Sequence, residues 1–179
     1  MIDEIKTVLD SAELIYSEHE VEAAISKMAV QINALLSKTN LHVLCVMNGG
    51  IIIAGQLITS LSMPLTIEAI NASRYQNKTS GETIEWLLKP VVSLKERTVL
   101  IIDDILDEGF TLEEIKRYCF EQGASAVYCA VLLNKNLGHP KPVLADFIGL
   151  EVENRYIFGY GMDYKGYLRN APGIYACKE

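Results

Sequence analysis

The stretch VLIIDDILDEGFTL, Val99 to Leu112, decides how this chain is read. Four apolar residues, Val99 to Ile102, run into Asp103 and Asp104; Ile105 and Leu106 follow, then Asp107, Glu108, Gly109, Phe110 and Thr111. An apolar run without alternation predicts a strand buried on both faces. Carboxylates beside a core are costly unless they meet water, a metal or ligand hydroxyls. The end of this strand is therefore where a ligand is expected. Beyond it, Thr111-Leu112-Glu113-Glu114 has the form of a capping box, predicting a helix that runs to Gln122 and stops at Gly123.

Working outward, Ser17-Glu18-His19-Glu20 is a second capping-box form, opening a helix to about Ser37. LHVLCVM, Leu41 to Met47, reads as a buried strand broken sharply by Asn48-Gly49-Gly50. IIIAGQLITSL fits strand or helix by periodicity; its length and its place between a glycine turn and Pro64 favour helix. LTIEAINAS, Leu65 to Ser73, is the next strand, and TIEWLLKP a returning one after the polar stretch RYQNKTSGE, Arg74 to Glu82. AVYCAVLLN, FIGLEV and YIFGYG complete the strand candidates. Strands alternating with helices imply an α/β fold with a mostly parallel sheet, whose ligands sit beyond the carboxyl ends of the strands. No repeat, low-complexity segment or linker divides the chain, so residues 1–179 are expected to form a single domain.

A net charge of −7 argues against nucleic-acid binding, which needs a basic footprint. The N-terminal MIDEIKTVLD lacks the basic flank and apolar core of a signal peptide, and no apolar run reaches membrane-spanning length. Cys45, Cys119, Cys129 and Cys177 form no CxxC pair, and Cys45 and Cys129 sit in strand-like runs as small core residues. The expected address is the cytoplasm, with no membrane partner.

A helix start preceded by glycine offers backbone N–H groups and a positive dipole end, which favour a phosphate. Asp107 to Thr111 supply such a turn, with Gly109 for close approach and the Thr111 hydroxyl as a donor. The acids would repel a phosphate they faced, but they suit sugar hydroxyls, Mg²⁺-bound water or a base. A sugar phosphate is the ligand class this pattern predicts. An acidic helix start stabilised by its dipole accounts for Asp107 and Glu108, but poorly for Asp103 and Asp104. No GxxxxGK[ST] run exists, and GYGMDY, Gly159 to Tyr164, lacks the third glycine of a dinucleotide fingerprint.

VLIIDDILDEGFTL resembles the phosphoribosyl-pyrophosphate (PRPP) signature of the type I phosphoribosyltransferases. VLLNK, Val131 to Lys135, and YIFGYGMDYKGYLRN, Tyr156 to Asn170, resemble the purine pocket of the hypoxanthine-guanine phosphoribosyltransferases, and VMNGG, Val46 to Gly50, their pyrophosphate loop. The resemblance implies the type I phosphoribosyltransferase fold, with a small hood and a flexible lid loop. It implies Mg²⁺-dependent transfer of 5-phosphoribosyl from PRPP to N9 of hypoxanthine or guanine. By the same resemblance Asp103 and Asp104 hold the ribose hydroxyls, directly or through Mg²⁺. Asp107 is the general base on N7, and the backbone of Glu108, Gly109, Phe110 and Thr111 cradles the 5-phosphate.

The resemblance further gives Lys135 to the purine O6, Tyr156 to stacking on the base and Ile157 to its ring edge. Asp163 belongs to the purine side and to a second Mg²⁺, and Arg169 with Asn48, Gly49 and Gly50 to pyrophosphate. Arg74 and Tyr75 fall on the lid. Glu108, Phe110 and Asn48 depart from the common pattern, which often has a small hydroxyl residue, a lysine and a lysine there; Glu108 must turn its carboxylate outward. Relatives are commonly dimers or tetramers, so a homodimer or homotetramer is implied. A xanthine-preferring enzyme and a non-catalytic nucleotide-binding regulator of the same fold stay open as alternatives.

Overall fold

Val99, Leu100, Ile101 and Ile102 are all fully buried. Leu100 and Ile102 join one apolar cluster, Val99 and Ile101 the other. Alternation is present in the backbone but invisible in the sequence, because both faces of the strand are covered. The computed structural model describes residues 1–74 and 84–178.

In chain order the elements are α1 (Ile2–Ser11), β1 (Glu13–Ser17), α2 (Glu18–Leu36), β2 (Leu41–Val46), α3 (Ile51–Thr59), β3 (Leu65–Arg74), β4 (Ile84–Leu88), β5 (Thr98–Leu106), α4 (Phe110–Glu121), β6 (Ala126–Asn136), β7 (Phe147–Glu153), β8 (Ile157–Phe158) and β9 (Gly173–Ala176). The main sheet has the order β4-β3-β2-β5-β6-β7. All its neighbours pair in parallel except β4, which returns antiparallel on β3. Val21, Ile25 and Met28 of α2 with Ile53 and Leu57 of α3 cover one face. Leu112, Ile115 and Cys119 of α4 cover the other. Each aliphatic side chain buried in this way contributes roughly 1.5–3 kcal/mol, and β5 lies at the centre of both layers.

The helix starts follow local chemistry. At α2 the Ser17 hydroxyl accepts from the Glu20 amide, and the Glu20 carboxylate accepts from the Ser17 amide at 2.8 Å, a complete capping box. At α4 the expected box is absent. The helix begins at Phe110 behind Gly109, which takes a left-handed φ of 88° and leaves Thr111 inside the first turn. The reason is the length of β5: it runs to Leu106, so only Asp107, Glu108 and Gly109 remain to reverse the chain. Such a reversal needs the positive φ that glycine adopts without strain.

Before Ser17 no element is predicted from sequence, yet α1 and β1 lie there. β1 pairs antiparallel with β9, and β9 with β8, giving a three-stranded sheet that forms the hood. The candidate strand YIFGYG shrinks to Ile157–Phe158, because Gly159 and Gly161 turn the chain with φ of 94° and 111°.

Candidate active site

The turn between β2 and α3, the turn between β5 and α4, and the hood segment 159–169 meet beyond the carboxyl end of β5. They enclose a cavity of about 420 Å³ lined by Asn48, Gly49, Asp103, Asp104, the run from Asp107 to Thr111, and Arg169. The Glu113 amide donates to the Gly109 carbonyl as α4 begins, so the helix presents its N-terminal end to this cavity. That end carries partial positive charge and suits an anion.

Alternation along β5 sends Asp103 to the side of Val99 and Ile101, and Asp104 to the side of Leu100 and Ile102. Each carboxylate has a local backbone donor: Asp103 accepts from the Asp104 amide at 2.9 Å, Asp104 from the Ile105 amide at 2.8 Å. These bonds do not offset the partial loss of water around two half-buried carboxylates. Burial, and then the charge of Asp104, push the Asp103 carboxyl well above the ordinary carboxylate range. Burial raises Asp104 as well, against the opposing pull of the Arg169 guanidinium. A pair held in this state is completed by a cation or by donor hydroxyls.

The β2–α3 turn lies directly on Asp104. A Cβ at Gly49 would fall 1.9 Å from Asp104 Oδ2, and one at Gly50 would fall 2.7 Å from the Val46 carbonyl. The Met47–Asn48 peptide is cis. From the hood, Gly161 packs so close that its Cβ would stand 2.3 Å from the Gly49 carbonyl. Arg169 donates to the Gly161 carbonyl at 2.6 Å and to Asp163 Oδ1 at 2.6 Å, while Asp163 Oδ2 accepts from the Gly166 amide at 2.7 Å. One arginine thus ties the hood turn to the acid that it carries.

A second cavity, about 240 Å³, adjoins the first and shares Asp104, Ile105 and Asp107 with it; Lys135, Tyr156, Ile157, Met162 and Asp163 complete it. Lys135 extends from β6 across its floor and donates to Asp107 Oδ2 at 2.9 Å. The lysine side chain is only 12% exposed, the aspartate 50%. Tyr156 is not a core aromatic but an exposed ring at the mouth, set edge-on to Tyr164 with centroids 5.5 Å apart. Ile157 is buried, with its backbone paired to Ala176. Glu108 does turn outward: its carboxylate points toward His139, with Oε2 3.8 Å from Nε2.

The phosphoribosyl transferase domain profile matches residues 11–165. The chain belongs to the phosphoribosyltransferase family. This phosphoribosyltransferase is 31% identical over 180 residues to the hypoxanthine-guanine phosphoribosyltransferase of Leishmania donovani, covering 94% of this chain and 85% of that one. It is 28% identical over 166 residues to the enzyme of the same name from Bacillus subtilis, covering 92% of each. It is 29% identical over 182 residues to the hypoxanthine-guanine-xanthine phosphoribosyltransferase of Tritrichomonas foetus, covering 100% and 95%. Among solved structures, a Staphylococcus aureus hypoxanthine phosphoribosyltransferase superposes with a TM-score of 0.89 at 22% identity, over 96% of this chain and 95% of that one. A Bacillus anthracis hypoxanthine-guanine phosphoribosyltransferase gives 0.84 at 26% identity, over 92% and 96%. The fold is the type I phosphoribosyltransferase fold.

The site residues expected from sequence meet at these two cavities except the lid pair and Gly50, which is the N-cap of α3 and lines neither. Arg74 ends β3, and Tyr75 lies outside the described residues. Sequence reading missed Ile105 and Met162 as lining residues, and Gly161 as the contact between hood and loop. Gly161 had a signal, since GYG inside a strand-like run marks a break.

The phosphoribosyltransferase is expected to gain stability when its acid pair is relieved. In Asp103→Asn the amide oxygen still accepts from the Asp104 amide, while the half-buried charge is gone. The raised native pKa means that the folded chain keeps a proton the unfolded chain releases, so folding is penalised above the ordinary carboxylate pKa of about 4. Ligand-free Asp103→Asn protein in chelator should therefore be more stable than the parent at pH 7 by about 0.5–2 kcal/mol. That corresponds to a few degrees in Tm, and the gain should disappear near pH 3.5. Thermal unfolding at both pH values checks this; a lower Tm at pH 7 would refute the burial argument.

Proposed function

We propose that this phosphoribosyltransferase serves purine salvage, transferring 5-phosphoribosyl from PRPP to N9 of hypoxanthine or guanine to give IMP or GMP and pyrophosphate. The observation that carries the reading is the shared wall between the two cavities. Asp104, Ile105 and Asp107 face both an anion-suited turn and a pocket floored by Lys135 and topped by Tyr156. A sugar phosphate on one side and a flat base with a carbonyl on the other satisfy every group present. The names of the relatives point the same way.

In the reaction the bond from ribose C1 to the pyrophosphate oxygen breaks and the bond from N9 to C1 forms. Asp107 takes the imidazole proton from N7, so the purine attacks without building positive charge. Before the base arrives, Lys135 holds the Asp107 carboxylate; a purine O6 replaces that carboxylate as its acceptor, freeing Asp107 to serve as base. Tyr156 stacks on the ring and Ile157 reads its edge through the backbone. The amides from Glu108 to Thr111 and the Thr111 hydroxyl hold the 5-phosphate. Asn48, Gly49, Gly50 and Arg169 receive the pyrophosphate, and Arg74 and Tyr75 belong to the covering loop.

Mg²⁺ fits these donors. Among the described residues no group of three or more His, Cys, Asp or Glu side chains forms a ready cage. Mg²⁺ is commonly held through one or two carboxylates with substrate phosphates and water, and does not need such a cage. Asp103 and Asp104 would hold one Mg²⁺ at the ribose and Asp163 would be associated with a second on the pyrophosphate side, where it would supply positive charge to the departing oxygens. We assign the chain to the cytoplasm, in keeping with its free cysteines. We also expect a homodimer or homotetramer. Work on the Trypanosoma cruzi relative treats its oligomeric state together with its activity.

The test is nucleotide formation from PRPP, Mg²⁺ and each of hypoxanthine, guanine, xanthine and adenine. Turnover with hypoxanthine or guanine and none with adenine is expected. Turnover confined to xanthine would move the specificity, and no turnover with any base would end the enzymatic reading.

A further inference from the structure

Leu106, Asn134 and Glu151 lie in register across β5, β6 and β7. The Asn134 amide donates to both Glu151 oxygens, at 3.1 and 2.9 Å, which turns its own oxygen toward Lys141. Lys141 comes from the loop after β6 and spans the ends of these strands. Its ammonium donates to Asn134 Oδ1 at 2.8 Å and to the Leu106 carbonyl at 2.7 Å. That carbonyl belongs to the peptide that begins Asp107. Pro142 and Val143 then reach the far end of the same turn: a Cβ on Gly109 would meet Val143 Cγ1 at 3.2 Å and Pro142 Cδ at 3.5 Å. The strap 141–143 therefore grips both ends of a turn whose middle is Asp107 and Glu108.

We infer that Lys141 is a positioning residue for Asp107, fixing the Leu106–Asp107 peptide plane and so the direction in which the catalytic carboxylate leaves the sheet. The inference rests on the role proposed above for Asp107. Lys135 touches the carboxylate itself and must let go when a base binds; Lys141 touches only the backbone behind it and stays. A charge-assisted bond to a carbonyl is among the stronger neutral-to-ionic contacts. Its ammonium is not an idle surface charge, because burial depresses its pKa while nearby Asp107 and Glu151 oppose that shift. A misplacement of about 1 Å can slow chemistry by roughly 10²-fold, so a partial loosening of this turn should be visible in rate.

The test compares single-turnover rates at saturating PRPP, Mg²⁺ and hypoxanthine or guanine. Lys141→Met keeps the stem and removes the donors. It should slow the chemical step about tenfold, the part of that range expected for a loosened but intact turn, with less than a twofold change in KM for PRPP. Lys141→Arg should recover at least half of the loss. In an Asp107→Asn background, Lys141→Met should have no further effect, because the group that it positions is already disabled. A rate within twofold of the parent, or the same tenfold loss in both backgrounds, would overturn the inference. If Lys141→Met does not fold, Lys141→Gln is run through the same pair of backgrounds with the same outcomes. A parent protein inactive on every base removes the functional reading and this inference together; an active parent matched by Lys141→Met removes this inference alone.

Discussion

Asp107→Ala is expected to lower the rate of the chemical step by roughly 10²–10⁴-fold, the usual contribution of a positioned general base, while PRPP still binds. The separation of the two effects follows from where Asp107 stands. Its backbone begins the phosphate-suited turn, which alanine leaves intact, and its side chain is half exposed and paired with Lys135. Breaking an ion pair of that exposure changes stability by about 0–1 kcal/mol, so Tm should hardly move. Lys135, released from the carboxylate, remains free to meet a purine O6, and purine affinity should stay within a few-fold of the parent. Single-turnover rates with PRPP titration and thermal unfolding measure all three quantities. Parent-like turnover in a folded variant would remove Asp107 from the mechanism.

The second large effect is expected far from the proton transfer, at Gly161. Alanine there meets two obstacles: a φ of 111°, and a Cβ 2.3 Å from the Gly49 carbonyl. Holding a side chain in such a backbone region costs about 1–3 kcal/mol, which lowers Tm by several degrees in a chain of this size. The contact adds a displacement, because backbone cannot swing aside as a side-chain tip can. Either the hood backs away, carrying Asp163 and Arg169, or the Gly49 loop is pushed against Asp104. Both spoil the pyrophosphate side, so KM for PRPP should rise at least tenfold. Gly138→Ala is the control, since Gly138 has a φ of 74° but open space around it. It should share the loss in Tm and leave KM for PRPP unchanged. Equal KM effects in the two variants would mean that the contact with Gly49 is unimportant.

Much of this arrangement was legible because it is local. The run Val99–Ile102 ending in acids needs only period and burial, and the Ser17–Glu20 box needs only four residues. The Thr111 box failed for a reason that is also local but conditional. The strand continues through Asp103 and Asp104 to Leu106, and that shortens the turn until glycine must cap the helix. Nothing in the residue types says that a strand tolerates two carboxylates at its end. Of the hood, only the YIFGYG candidate and the resemblance gave a sign, because β8 and β9 are two and four residues long, too short for any period, and β9 is held by pairing with β1 at the other end of the chain. Lys141 is the extreme case: a single loop lysine whose partners are a carbonyl and an amide, neither of which advertises a lysine in sequence.

The pairing of residues 13–17 with 173–176 has a consequence for biosynthesis. A nascent chain emerging from the ribosome can lay down β5 and the anion-suited turn well before it can close the base pocket, which waits for the last strand of the hood. Fragments ending ahead of Gly173 should retain the phosphate corner and lack a seat for the purine.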